Sequence, residues 1–383
     1  MKRFLALSLV FALLLSGCGS KSRETAPTLE PVSLDSLIEA NGRTPGEKSA
    51  EAADETAETA EAVEETTEET TAPTEPPVYR NPLNGQIIDE PFTGRIHAHT
   101  ISNMRENMPH VNLVKADVVM EMYVNMNNVI RCLALYSDFA SVEAVGSTRS
   151  TRPMFNDIAQ HYSLILSHAG GSDTALNDAN DRGLEHLNIE DWNVMKQIET
   201  SYRDTEYKRS LENSLFGIGP NIMAYAELQG WPTTLEKDYG FRFADNGTPA
   251  EGEAAGQISL TLTYREAKKD TRMVYNAELG KYVWHQYDQE MTDQITGEKE
   301  AFSNVIIMET LISHNGIYHA ADFLGGGTGY YANGGVITPI FWTCEDESEA
   351  FLFWHGDGTR LEMGVGNTYI AIVPNGSPIS WEA

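Results

Sequence analysis

Gly146 to Asp173 reads GSTRSTRPMFNDIAQHYSLILSHAGGSD, and the order of residue types in it sets the architecture of the first half of the chain. Arg149 and Arg152, with the hydroxyls of Ser150 and Thr151, crowd a short loop after Gly146. Pro153 suits the first position of a helix, where its missing N–H is no loss, so a helix is predicted over 153–161. Ser163 to Ser167 (SLILS) is a continuous apolar run of the kind that fills a central strand. His168-Ala169-Gly170-Gly171-Ser172-Asp173 then leaves that strand for a second helix, predicted over 173–182. Helix, strand and helix in succession make an α/β pattern, and open α/β sheets hold ligands at the carboxyl ends of their strands. The stretch therefore marks a candidate site as well as a fold.

Upstream, Val118 to Val124 (VVMEMYV) and Ile130 to Tyr136 (IRCLALY) read as two strands around an Asn-rich hairpin at 125–128, with a further strand over 95–100. Another helix is predicted over 219–230. After Trp231-Pro232 the pattern changes to short alternating runs at 257–264, 272–276, 282–287, 304–312, 336–342, 350–354 and 368–373. The predicted fold class is α+β: an N-terminal α/β domain with a mixed sheet over 79–235, then a mostly β C-terminal domain over 236–383. The boundary falls within 232–256, where Asp245-Asn246-Gly247 reads as a linker or hairpin. Gly325 to Gly329 reads as a glycine hairpin, since no Gly-Lys-Ser/Thr follows to make a phosphate loop.

Residues 1–18 read as a leader: Lys2 and Arg3, an apolar run from Phe4 to Leu15, then Leu15-Ser16-Gly17-Cys18. They resemble bacterial lipoprotein signal peptides, which implies lipidation of the Cys18 thiol, a membrane as partner through that anchor, and a place on the outer face of the cytoplasmic membrane. An ordinary secretory signal is the alternative. Residues 19–78 are rich in Glu, Thr, Ala and Pro with almost no aromatic residue, the composition of a disordered acidic stalk. The formal charge of −29 argues against nucleic acid as a partner. Cys132 and Cys344 are expected as two separate buried thiols, with a disulfide as the alternative.

Arg149, Ser150 and Arg152 ahead of a helix N-terminus form a natural receiver for a carboxylate or phosphate, and Arg131, His168, Gly170 and Gly171 are placed with them as ligand-binding candidates. The plainer account has Thr151 capping the helix and the arginines pairing with carboxylates, Glu121 among them. Glu121 and Arg131, on adjacent strands, are expected to form a buried pair; Glu121 as a general acid for glycan cleavage is the sharper alternative. Ser150 with His168 lacks a G-x-S-x-G elbow and an identifiable acid. His97 and His99 make only a His-x-His, so no metal and no cofactor is expected.

Several stretches together resemble the YerB-like lipoproteins, two-domain bacterial proteins of unknown function. They are Asn81-Pro82-Leu83-Asn84-Gly85, Ala116 to Glu121, Ile130-Arg131, Gly146 to Pro153, His168 to Ser172, Tyr202-Arg203-Asp204, Ser303 to Ile306, and Gly329-Tyr330-Tyr331 followed by Trp342. The sequence departs from that pattern at Leu211-Glu212-Asn213, where Pro-His-Asn is usual, and at Met291-Thr292-Asp293, where His-x-Asp is usual. The resemblance implies an envelope lipoprotein and brings no reaction with it. Two functions are carried forward: a module binding an anionic wall component, peptide or partner protein, and an envelope glycan-cleaving enzyme with Glu121 as acid.

Overall fold

The structure is a computed structural model that describes residues 77–125, 129–206, 209–264 and 267–383. The predicted leader with Cys18, the predicted stalk up to residue 76 and the tip of the predicted Asn-rich hairpin lie outside the described residues. The central strands, in chain order, are β1 (His97–Ser102), β2 (Val118–Asn125), β3 (Val129–Tyr136), β4 (Ile165–His168), β5 (His186–Asn188), β6 (Asn304–Thr310), β7 (Gly325–Asn333), β8 (Val336–Cys344) and β9 (Thr368–Pro374). They hydrogen-bond in the order β8-β7-β6-β9-β2-β3-β1-β4-β5 within one 13-stranded sheet.

The pairing is mixed. Strand β9 lies parallel to both β6 and β2, and β4 is parallel to both β1 and β5. The β2–β3 and β7–β8 hairpins are antiparallel. Because β9, near the end of the chain, inserts between β6 and β2, one sheet runs through both halves of the sequence. The predicted α+β class holds, with an α/β first half and a mostly β second half that share this sheet. The 232–256 segment is bound to it too: Phe243–Ala244 pairs with Met363–Gly364, and Gly247 O accepts from the Tyr331 hydroxyl at 3.0 Å.

Strand β2 is buried along its whole length, which explains why it is apolar almost throughout. Its odd-numbered residues Val119 and Tyr123 face a second sheet built from Gln257–Tyr264, Ala267–Asn276 and Lys281–Gln286, packing with Leu260, Met273 and Trp284. Val118, Met120 and Met122 face the opposite way, toward Met154, Phe155 and Ile158 of helix α1 (Pro153–His161). Helices α2 (Asp173–Asp181) and α3 (Gly219–Leu228) stand where the sequence predicts them.

Three expectations are corrected. Thr151 does not cap α1: the cap position is Arg152, without a side-chain bond, while Thr151 Oγ1 donates to Asn156 Oδ1 at 2.9 Å. The strand after α1 begins at Ile165, because Ser163, at φ 49°, still belongs to the turn that ends the helix. Gly325 to Gly329 is no hairpin; it lies in β7, and the turn falls at Gly334-Gly335, both with positive φ. The strand needs the earlier glycines because the chain passes tightly between β6 and β8. A Cβ on Gly329 would lie 2.2 Å from Ile307 O, and one on Gly327 2.7 Å from Trp342 Nε1. Gly329→Ala is therefore expected to cost about 1–3 kcal/mol in thermal or urea unfolding, since backbone and not a soft side chain must move. Wild-type stability in that variant would contradict the packing.

Candidate functional site

The Thr148–Thr151 loop is laid across the carboxyl ends of β1 and β4. Arg149 N–H donates to Thr100 O at 3.0 Å, and Arg149 O accepts from Ala169 N–H at 3.0 Å. Thr151 N–H then donates to Gly170 O at 3.0 Å, and Thr148 N–H to Leu215 O at 2.8 Å. Gly170 takes φ 66°, a left-handed turn that favours glycine, and a Cβ on Gly171 would meet Leu176 of α2 at 2.8 Å. Both glycines thus set the fit of this loop against α2.

Beside the loop lies a cavity of about 350 Å³. Thr148, Arg149 and Ser150 form one wall, Arg203 and Glu190 another, and Glu212 stands at its edge. Arg149 donates to Glu212 O at 2.8 Å and pairs with the Glu212 carboxylate at 3.0 Å, while its other terminal nitrogen donates to Asn213 Oδ1. Arg203 pairs with Glu190 at 2.6 Å. Leu211 and Glu212 therefore line this cavity, and Asn213 holds one of its arginines. Nothing local in the sequence joins Arg203 to Thr148, Glu190 or Glu212. The antiparallel pairing of Leu215–Gly217 with both Val145–Gly146 and Ser201–Arg203 brings these segments together.

Arg131 and Arg152 extend the positive charge. Arg131 is buried and donates to Ser150 O; Arg152 donates to Thr151 O at 2.6 Å and lies 5.0 Å over the Tyr318 ring. Burial, then the charges of Arg152 and Arg149, press Arg131 below the ordinary guanidinium value. The Nε atoms of both Arg131 and Arg152 are buried without a hydrogen-bond partner. Among the described residues neither forms an ion pair, and neither lines the cavity: both stand behind Arg149, the one of the three that reaches it and pairs with Glu212.

The expected Glu121–Arg131 pair does not form. Glu121 stands opposite Cys132, and Arg131 opposite Met122, so the two side chains point to opposite faces of the sheet. The Glu121 carboxylate instead accepts from Lys269 Nζ, Asn103 Nδ2 and the Tyr369 hydroxyl, fully buried and outside the cavity. His168 also lies outside the cavity lining, with Nδ1 donating to Gly170 O at 2.8 Å and Nε2 accepting from His186 Nδ1 at 2.9 Å. Burial, then His186, holds His168 neutral, down to about 3. A buried relay reaches the cavity wall: Thr148 Oγ1 to His99 Nε2 at 2.8 Å, His99 Nδ1 to Ser167 Oγ, and Ser167 Oγ to His97 Nε2 at 2.8 Å. Cys132 and Cys344 are both free and buried.

Two family descriptions match the sequence: the N-terminal domain of "protein of unknown function (DUF3048)" over residues 83–231, and the C-terminal domain of the same family over 260–370. The chain belongs to the DUF3048 family. Its fold is that of the YerB protein from Bacillus subtilis, whose crystal structure superposes with a TM-score of 0.66 at 21% identity over 79% of this chain and 99% of that one. No curated protein matches the sequence. The YerB likeness carries the two-domain DUF3048 architecture, and the arginine cavity lies within the N-terminal DUF3048 segment.

Proposed function

We propose that this DUF3048 chain is a lipid-anchored extracytoplasmic envelope protein that binds an anionic wall component, peptide or partner protein through its arginine-lined cleft. The carrying observation is a cavity lined by Arg149 and Arg203, with Arg131 and Arg152, which form no ion pair among the described residues, adding their charge behind Arg149. Clustered cations with so little internal compensation are stabilised by an incoming anion, and guanidiniums suit a carboxylate or phosphate by offering paired donors. Glu212, mostly exposed, can yield Arg149 to such a ligand at little cost. The anchoring half of the proposal rests on the leader sequence ending at Cys18.

Glycan cleavage with Glu121 as acid gains nothing from the geometry, because its carboxylate is enclosed by three donors and has no contact with the cavity. The test is binding of wild type and the Arg149→Ala, Arg152→Ala double variant to anionic envelope fractions and peptides, with circular dichroism to establish the fold. Loss of two charge-assisted contacts is expected to weaken binding by at least about a hundredfold, given roughly 1.5–3 kcal/mol for each. Unchanged capture by a folded double variant would end this reading.

A further inference from the structure

We propose that Lys269 and Asn103 are joined by an isopeptide bond formed within the chain, with Glu121 carrying the protons. Lys269 Nζ and Asn103 Nδ2 both donate to the same oxygen, Oε1 of Glu121, so an amine, a carboxamide and a carboxylate meet at one atom. The three residues are 4%, 0% and 0% exposed respectively. Around them Gln286 Nε2 donates to Asn103 Oδ1 at 2.8 Å, Thr271 Oγ1 accepts from Lys269 Nζ at 3.0 Å, and the Tyr369 hydroxyl holds the other oxygen of Glu121. The Trp284 and Tyr287 rings lie 5.3 and 5.5 Å from Nζ and keep the site dry.

Each element has a chemical part. Transfer of a proton from Nζ to Glu121 leaves a neutral amine. Its lone pair attacks Cγ of Asn103, and negative charge develops on Oδ1, where the Gln286 amide already donates. Glu121 returns the proton to Nδ2, the Cγ–Nδ2 bond breaks, and ammonia leaves with the surplus proton as ammonium. One C–N bond forms and one breaks, with no oxidant or co-reactant. The arrangement exceeds what an ion pair requires: a lysine and a glutamate would pair without a buried asparagine whose carbonyl is held by a glutamine. The bond would tie the end of β1 to the second sheet, across the two halves of a chain whose Cys132 and Cys344 are not paired.

Mass spectrometry of the full chain decides it. The intact protein is expected to weigh about 17 Da less than its sequence, the mass of ammonia, and digestion is expected to yield one branched peptide containing residues 103 and 269. Glu121→Gln should restore the sequence mass, whereas Asn103→Asp should keep the link with loss of water, about 18 Da, from its own sequence mass. Wild type at its sequence mass would overturn the proposal. So would a loss of 17 Da without the branched peptide, which marks a cyclised Asn103, or a branched peptide joining Lys269 to Glu121.

Discussion

Truncating Glu121 to alanine is expected to cost at least about 3–5 kcal/mol in urea unfolding, because without Glu121 the Lys269–Asn103 bond does not form and the variant holds a buried Lys269 ammonium without a counter-charge. After the truncation Lys269 retains the Thr271 hydroxyl and the aromatic faces of Trp284 and Tyr287, none of which carries charge. The Tyr369 hydroxyl and Asn103 Nδ2 lose their acceptor as well, and each buried donor left unmade adds about 1–3 kcal/mol. No water can enter easily, since Glu121 sits mid-strand between Met120 and Met122 with β3 and β9 on either side. Replacing both charges, Glu121→Met with Lys269→Met, should recover the part of the loss due to the unpaired charge, because two apolar side chains of similar length suit this layer, while the part due to the missing Lys269–Asn103 bond remains. A single-variant cost below about 1 kcal/mol would mean that water reaches the pair after all.

This pair also marks where sequence reading stopped. The strands themselves were legible: VVMEMYV and IRCLALY are too apolar for anything but a buried sheet, and Pro153 announces α1. What the sequence does not state is register. With Glu121 opposite Cys132, the glutamate and Arg131 fall on opposite faces, and the partner comes from 148 residues away. Lys268-Lys269-Asp270 looks like a solvated charge run, yet in the strand Lys268 and Asp270 are exposed while Lys269 turns inward. The period of two was the available signal, since Thr271 and Met273 continue the inward face.

The arginine loop was legible for a different reason. Arg149, Ser150 and Arg152 are close in sequence, so their proximity needs no knowledge of topology. Arg203, Glu190 and Glu212 come from segments joined only by the small pairing of Leu215–Gly217 with its two neighbours, and that pairing leaves no local pattern. His168 was misplaced in the cleft because a histidine at a strand end looks available. In the fold its ring is consumed by Gly170 and His186, behind the loop.

Acidification is expected to destabilise the protein well before its carboxylates are fully protonated. Burial first, with His168 and His186 as the next charges, holds His99 and His168 at about 3 in the fold. In the unfolded chain both return to about 6.5. Between those values the unfolded state binds more protons, so stability is fully present above about 6.5 and is lost as pH falls toward 3. Two such groups remove about 2.7 kcal/mol per pH unit, or about 5 kcal/mol at pH 4.5. His97, lowered by burial and then by His99, acts in the same direction. Asp157 opposes them: burial raises it to about 6 against the pull of Arg182, so it returns about 2 kcal/mol by the same pH. A net loss of roughly 3 kcal/mol or more at pH 4.5 follows, read as a shift of the urea midpoint between pH 7 and 4.5. His99→Gln should flatten the profile. The same protonation would reverse the hydrogen bond beneath the loop carrying Arg149, His99 Nε2 then donating to Thr148 Oγ1. A stability profile level from pH 7 to 4.5 would show that water or a carboxylate reaches these rings.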